Sequence, residues 1–191
     1  MSLILVMGGA RSGKSSYAEA LAAKMSEHVA YIATAQAFDE EMENRILMHK
    51  NRRPGHWSTY ESPDQISDLM LTIKEQHKVF LIDCLTLLIS NILLNGLNID
   101  NITPEIYQQK EAEVFRDLTK LVSLTRTGSF RLIIVTNELG LGIVPATPLS
   151  RAYRDLVGRA NQYLAQEADQ VIFTVAGMPL QIKPTLEMLE E

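Results

Sequence analysis

Gly8-Gly9-Ala10-Arg11-Ser12-Gly13-Lys14-Ser15 is the segment of this chain most plainly suited to chemistry. Its spacing is G-x-x-x-x-G-K-S, with the apolar run Leu3–Met7 before it and Ala18, Leu21, Ala22 and Met25 at helical spacing after it. Glycines let successive backbone N–H groups turn inward around an anion, and the N-terminus of the following helix adds a partial positive charge. A lysine at position 14 reaches the β and γ oxygens of a nucleoside triphosphate, and the Ser15 hydroxyl is a ligand for Mg2+. The run therefore predicts a phosphate-binding loop with Lys14 as a catalytic cation. Asp83 is the matching acidic group, because Val79-Phe80-Leu81-Ile82 runs straight into it as a strand would. Its two readings are a Mg2+ ligand, direct or through water, and a cap for a helix beginning near Leu85.

These groups need a scaffold, and the sequence supplies one. Leu3–Met7, Val29–Thr34, Val79–Asp83, Leu132–Thr136 and Val171–Val175 are short apolar runs bounded by polar or small residues. Continuous apolar strands belong to sheets covered by helices on both faces. Ile66, Leu69, Met70 and Ile73 mark one helix, with Ser62 as its N-cap, Pro63 at the first position and Gln65 completing a capping box. Further helices are expected over Pro104–Thr125 and Ser150–Gln166. Gly177-Met178-Pro179 reads as a turn joining Val171–Val175 to Leu180–Lys183 in an antiparallel hairpin at the sheet edge. The expected fold is α/β, a mostly parallel doubly wound sheet in one domain over residues 1–191, with 184–191 short-helical or frayed.

Composition narrows the function. The chain has 191 residues, 46% hydrophobic and 21% charged, enough for one well-packed core. Its net charge of -5, from 18 basic and 23 acidic residues, argues against a nucleic-acid partner. Cys84 is the only cysteine, which excludes an intrachain disulfide and fits the cytoplasm. Leu3–Met7 is too short to span a membrane.

A phosphate-binding loop names no reaction. Further segments do: Tyr31-Ile32-Ala33-Thr34-Ala35, Asp39-Glu40-Glu41-Met42, Arg45 through Trp57, Thr136 through Pro145, and Gly158-Arg159-Ala160-Asn161-Gln162. Together with Gly8–Ser15 they resemble, from Leu3 to about Lys183, the bifunctional adenosylcobinamide kinase / adenosylcobinamide-phosphate guanylyltransferase family of cobalamin synthesis. The resemblance implies a RecA-like P-loop fold and a homotrimer. It also implies two reactions: phosphorylation of adenosylcobinamide by ATP or GTP, then transfer of GMP from GTP to adenosylcobinamide phosphate through a guanylylated histidine. Carried over by residue, the histidine is His49. The nucleotide contacts are Gly8, Gly9, Ala10, Arg11, Ser12, Gly13, Lys14 and Ser15, with Ala33, Thr34, Ala35, Lys50, Asn51, Arg52, Arg53, Glu61 and Asp83; Ser15 and Asp83 serve the metal.

His49 makes chemical sense there. A helix over Asp39–Lys50 places Glu41, Arg45 and His49 on one face. Attack on phosphorus needs the neutral imidazole, and the cations Lys50, Arg52 and Arg53 favour it, against the opposite pull of a helix C-terminus. His28, His56 and His77 have no such surroundings. Glu138 is open between orienting the acceptor or metal-bound water and capping its loop, and Arg151 and Arg154 between substrate phosphate and a neighbouring subunit. The competing functions are a single-activity P-loop kinase and a RecA-like ATPase on nucleic acid.

Overall fold

The structure, a computed structural model, describes residues 2–36, 40, 53–96 and 103–184. Its strands are β1 (Ser2–Gly8), β2 (Val29–Ala33), β3 (Ser58–Glu61), β4 (Val79–Asp83), β5 (Arg131–Asn137), β6 (Gln170–Val175) and β7 (Met178–Lys183). They form one sheet in the order β3-β2-β4-β5-β1-β6-β7, parallel except for the β6–β7 pair at the edge. The helices among the described residues are α1 (Lys14–Met25), α2 (Ile66–Ile73), α3 (Leu85–Leu94), α4 (Pro104–Thr127) and α5 (Pro148–Glu167).

Both sheet faces are covered, which is why the strands read as unbroken apolar runs. Leu3, Leu5, Phe80 and Ile82 turn to one side and pack with α2, α3, α4 and α5. Ile4, Val6, Tyr31 and Leu81 turn to the other and pack with Ala18 and Ala22 of α1 and with Trp57. On α5 the buried stripe is Leu156, Val157, Ala160 and Leu164, each large side chain contributing about 1.5–3 kcal/mol by burial. Both long helices start at a threonine cap followed by proline. Thr103 Oγ1 accepts from Ile106 N, and Thr147 Oγ1 accepts from Ser150 N at 3.1 Å.

Three sequence expectations need correction. The helix assigned a Ser62 cap starts at Ile66, after Gln65 in a left-handed conformation with φ 50°. Ser62 Oγ instead donates to Asp64 O, and Asn91 Nδ2 holds Pro63 O at 2.9 Å, keeping residues 62–65 as loop. The orphaned Ser67 N–H is capped by Asp117 Oδ1 of α4 at 3.1 Å, a partner distant in sequence. The hairpin turn is Ala176-Gly177, both at positive φ (50° and 80°), the backbone that a two-residue turn requires. Met178 and Pro179 belong to β7, where a missing N–H is tolerated because the strand is an edge. Last, Ser58–Glu61 is an edge strand beside β2 that no apolar run announced. The expected helix over Asp39–Lys50 and the segment 185–191 lie outside the described residues.

His77 is structural. It is 8% exposed, its Nε2 meets Tyr60 OH at 2.9 Å, and its ring packs edge-on against Phe80. Burial, then the charge of His28, pushes its pKa below the ordinary value. The unfolded chain therefore takes up this proton first. Stability from the neutral imidazole is complete above the unfolded pKa of about 6.5 and is lost progressively as pH falls toward the folded value. Urea unfolding of the parent and of His77→Gln between pH 7.5 and 5.5 is expected to show a flatter pH slope in the variant; equal slopes contradict it.

Candidate functional site

The phosphate loop lies where β1 ends and α1 begins, at the carboxyl edge of the sheet, the edge at which open α/β sheets bind ligands. Gly13 sits at the α1 N-cap with φ 93°, a conformation that β-carbons resist. A β-carbon there would also stand 3.0 Å from Gly177 Cα. The loop is braced by the distant β6–β7 hairpin. Gly177 N donates to Ser12 O at 2.9 Å, the Ser12 and Thr174 hydroxyls are 2.8 Å apart, and Thr174 Oγ1 donates to Met7 O at 3.1 Å. Ala10 and Arg11 form the exposed lip, with Arg11 at φ 56°. Lys14 is 9% exposed and its Nζ donates to Gly9 O at 3.1 Å, so its ammonium lies over the loop's own backbone.

Asp83 ends β4 facing that loop. Ser15 Oγ donates to Asp83 Oδ1 at 3.3 Å, and Tyr31 OH donates to Asp83 Oδ2 at 2.8 Å. The alternative role as a helix cap fails, since α3 begins at an N-cap residue, Cys84, without a side-chain cap. A hydroxyl and a carboxylate oxygen at one loop mouth are the hard oxygen donors that Mg2+ takes, the remaining positions going to phosphate oxygens and water. The residues present fit that ion.

A polar belt fixes the strand ends around this centre. Thr34 is fully buried; its hydroxyl accepts from Cys84 N at 2.7 Å and donates to Cys84 O at 2.9 Å. Its carbonyl accepts from Asn91 Nδ2 at 2.8 Å. The Thr34 side chain is thus committed to bracing β4, and of the Ala33–Ala35 run the half-buried Ala35 stands nearest solvent. Thr86 links Cys84 and Asn137, and Asn161 of α5 holds Thr136 Oγ1 at 2.7 Å and Asn137 O at 3.1 Å. Burial, followed by the charge of Asp83, raises the Cys84 thiol pKa, so this cysteine is an inert packing residue.

Of the basic run, Arg53 is described: its Cζ lies 3.4 Å from the centroid of the Tyr31 ring. His49, Lys50, Asn51 and Arg52 lie outside the described residues. Glu61 ends β3 opposite Ala33, one strand removed from Asp83, and is exposed. Glu138 accepts from Gly140 N, which favours its loop-capping role, and its own N–H donates to Gly8 O at 3.0 Å. Arg151 donates to the carbonyls of Pro145 and Ala146 ahead of α5. Beside this loop lies a cavity of about 700 Å³ bordered by Met7, Glu138, Val144, Arg154 and Gln162. Leu141 and Ile143, 84% and 97% exposed, project from the same loop. Sequence reasoning missed Tyr31, Asn91, Thr174 and Gly177, whose contributions depend on long-range neighbours.

Comparison with known proteins bears on the chemistry. Residues 4–182 match the family described as cobinamide kinase / cobinamide phosphate guanyltransferase. The chain is 39% identical over 181 residues to the bifunctional adenosylcobalamin biosynthesis protein CobU of Escherichia coli strain K12, covering 95% of this chain and 99% of the relative. It is 42% identical over 179 residues to the bifunctional adenosylcobalamin biosynthesis protein CobP of Pseudomonas aeruginosa, covering 94% and 96%. It is 40% identical over 185 residues to the CobU protein of Salmonella typhimurium strain LT2, covering 95% and 99%.

Proposed function

The chain belongs to the cobinamide kinase / cobinamide phosphate guanyltransferase family, and from that premise we propose that one catalytic domain over residues 1–191 performs both reactions around the loop Gly8–Ser15. The activity is bifunctional: a cobinamide is phosphorylated, and the phosphate then accepts a guanylyl group. In the first step the backbone N–H groups of the loop and Lys14 hold the β and γ phosphates of ATP or GTP while the aminopropanol hydroxyl of adenosylcobinamide, giving its proton to solvent, attacks the γ-phosphorus; the bond to the β–γ bridging oxygen breaks and the nucleoside diphosphate leaves. Ser15 and Asp83 hold Mg2+, which when bound neutralises charge on the phosphates.

In the second step the neutral imidazole of His49 attacks the α-phosphorus of GTP. A P–N bond forms, the bond to the bridging oxygen breaks, and pyrophosphate leaves. An oxygen of adenosylcobinamide phosphate then attacks that phosphorus, releasing His49 and giving adenosylcobinamide-GDP. The covalent route divides one difficult displacement into two easier ones. Lys50, Asn51, Arg52, Arg53 and Glu61, with Ala33, Thr34 and Ala35, are assigned to the nucleotide.

The observation that carries this account is Arg53, stacked on the tyrosine that bonds Asp83. It lies four positions after His49, a span of at most about 14 Å of extended chain. That short tether supports assigning the histidine to a triphosphate held on the loop. The cavity beside the β5–α5 loop, lined in part by apolar Met7, Leu139 and Val144, is the space offered to the corrinoid. A homotrimer belongs to the same proposal, as does a cytoplasmic location; no helix among the described residues is long and apolar enough to cross a membrane. Exposed Val175, Met178, Leu180 and Ile182 on the edge hairpin are apolar surface that assembly would cover.

Incubation of the purified protein with adenosylcobinamide, Mg2+ and ATP should yield the phosphate, and further GTP should yield adenosylcobinamide-GDP with one pyrophosphate per product. Accumulation of the phosphate alone, with no pyrophosphate released, would refute the second step.

A further inference from the structure

Tyr31 is a phenol in the middle of β2, a strand buried along its whole length. It is 2% exposed, yet its hydroxyl ends on a carboxylate oxygen, and a guanidinium carbon lies over its ring, 3.4 Å from the centroid. The two oxygens of Asp83 therefore have separate partners: Tyr31 on Oδ2, and Ser15 of the phosphate loop on Oδ1. A carboxylate's terminal torsion is broad and roughly two-fold, so one anchored oxygen is what decides where the other points. Arg53 Nε is itself buried without a hydrogen-bond partner among the described residues, so the contact of that head group with the ring is what the structure shows holding it.

We infer that Tyr31 is a positioning residue for the metal–nucleotide complex: its hydroxyl turns Asp83 Oδ1 toward Ser15, and Arg53, stacked on its ring, ties that carboxylate to the basic segment following His49. The inference rests on the proposal above that Ser15 and Asp83 hold the metal. Residues one shell out from a metal ligand act through its orientation, and losing one typically costs 10–100-fold in metal affinity. Tyr31→Phe removes a single oxygen and retains the ring on which Arg53 stacks. Arg53→Met does the reverse, leaving the buried hydroxyl in place.

The test titrates Mn2+, followed by electron paramagnetic resonance as a stand-in for Mg2+, into protein saturated with a non-hydrolysable GTP analogue. Tyr31→Phe is expected to raise the Mn2+ dissociation constant about ten-fold, with calorimetric binding of the metal-free analogue unchanged. Arg53→Met is expected to raise the Mn2+ constant about three-fold, the scale of a cation–π contact. A parental Mn2+ constant in Tyr31→Phe overturns the inference, as does an equal loss of metal-free nucleotide binding, which marks a merely structural role. Should Tyr31→Phe fail to fold, a parental constant in Arg53→Met overturns it. Asp83→Asn distinguishes the two levels. If it too keeps the parental Mn2+ constant, the metal assignment itself falls; if it loses Mn2+ while Tyr31→Phe does not, only the positioning claim falls.

Discussion

Replacing His49 by alanine is expected to abolish the covalent adduct that α-labelled GTP leaves on the protein, and to lower guanylyl transfer by about 10³-fold or more. The size follows from the role: without the imidazole there is no nucleophile for the first displacement, and what survives is the positioning supplied by the rest of the site. On the proposed route the kinase step does not use the histidine and should fall far less. The expected adduct is a phosphoramidate, labile in acid and stable in base, read by acid-quenched gel labelling and intact mass. A variant that still carries the label removes His49 from the mechanism. One that loses kinase activity as severely as guanylyl transfer assigns His49 a role in nucleotide binding.

The second large effect is at Lys14. Its ammonium is almost buried at the start of α1 and lies on Gly9 O, where incoming β and γ oxygens can take over the contact. Removing a preorganised cation from a phosphate site typically costs 10²–10³-fold in rate. Lys14→Ala is expected to lose about that much in kinase activity, with the thermal unfolding profile retained. Because a single loop is proposed to cradle the triphosphate in both reactions, adduct formation on His49 should fall in parallel. Kinase loss with adduct formation at the parental rate would show that GTP sits elsewhere when its α-phosphorus is attacked.

Much of this was legible before any coordinates. Val79–Asp83 begins and ends where the apolar run does, and the alternation of strands with helical segments suffices for a doubly wound sheet. The phosphate loop is legible because its chemistry is local: eight consecutive residues carry the turn, the cation and the hydroxyl. What escaped was set by neighbours far along the chain. Tyr31 reads as one more bulky strand residue until Asp83 is seen 2.8 Å from its hydroxyl. Thr174 and Gly177 gain meaning only because β6 lies beside β1 and its turn closes under the loop. The start of α2 was misplaced for the same reason, since Asn91 holds residues 62–65 as loop through Pro63 O and the Ser67 N–H is met by Asp117, not by the local Ser62. β3 was invisible because a short edge strand with alternating exposure, Ser-Thr-Tyr-Glu, has no apolar run to find.

The claim at the centre is that GMP passes through the protein itself on its way to the corrinoid. Protein labelled with α-labelled GTP, freed of nucleotide by gel filtration and then given adenosylcobinamide phosphate, should surrender its label in a single turnover, with the label recovered in adenosylcobinamide-GDP. Label that stays on the protein, or appears only as free GMP at the rate seen without acceptor, contradicts it.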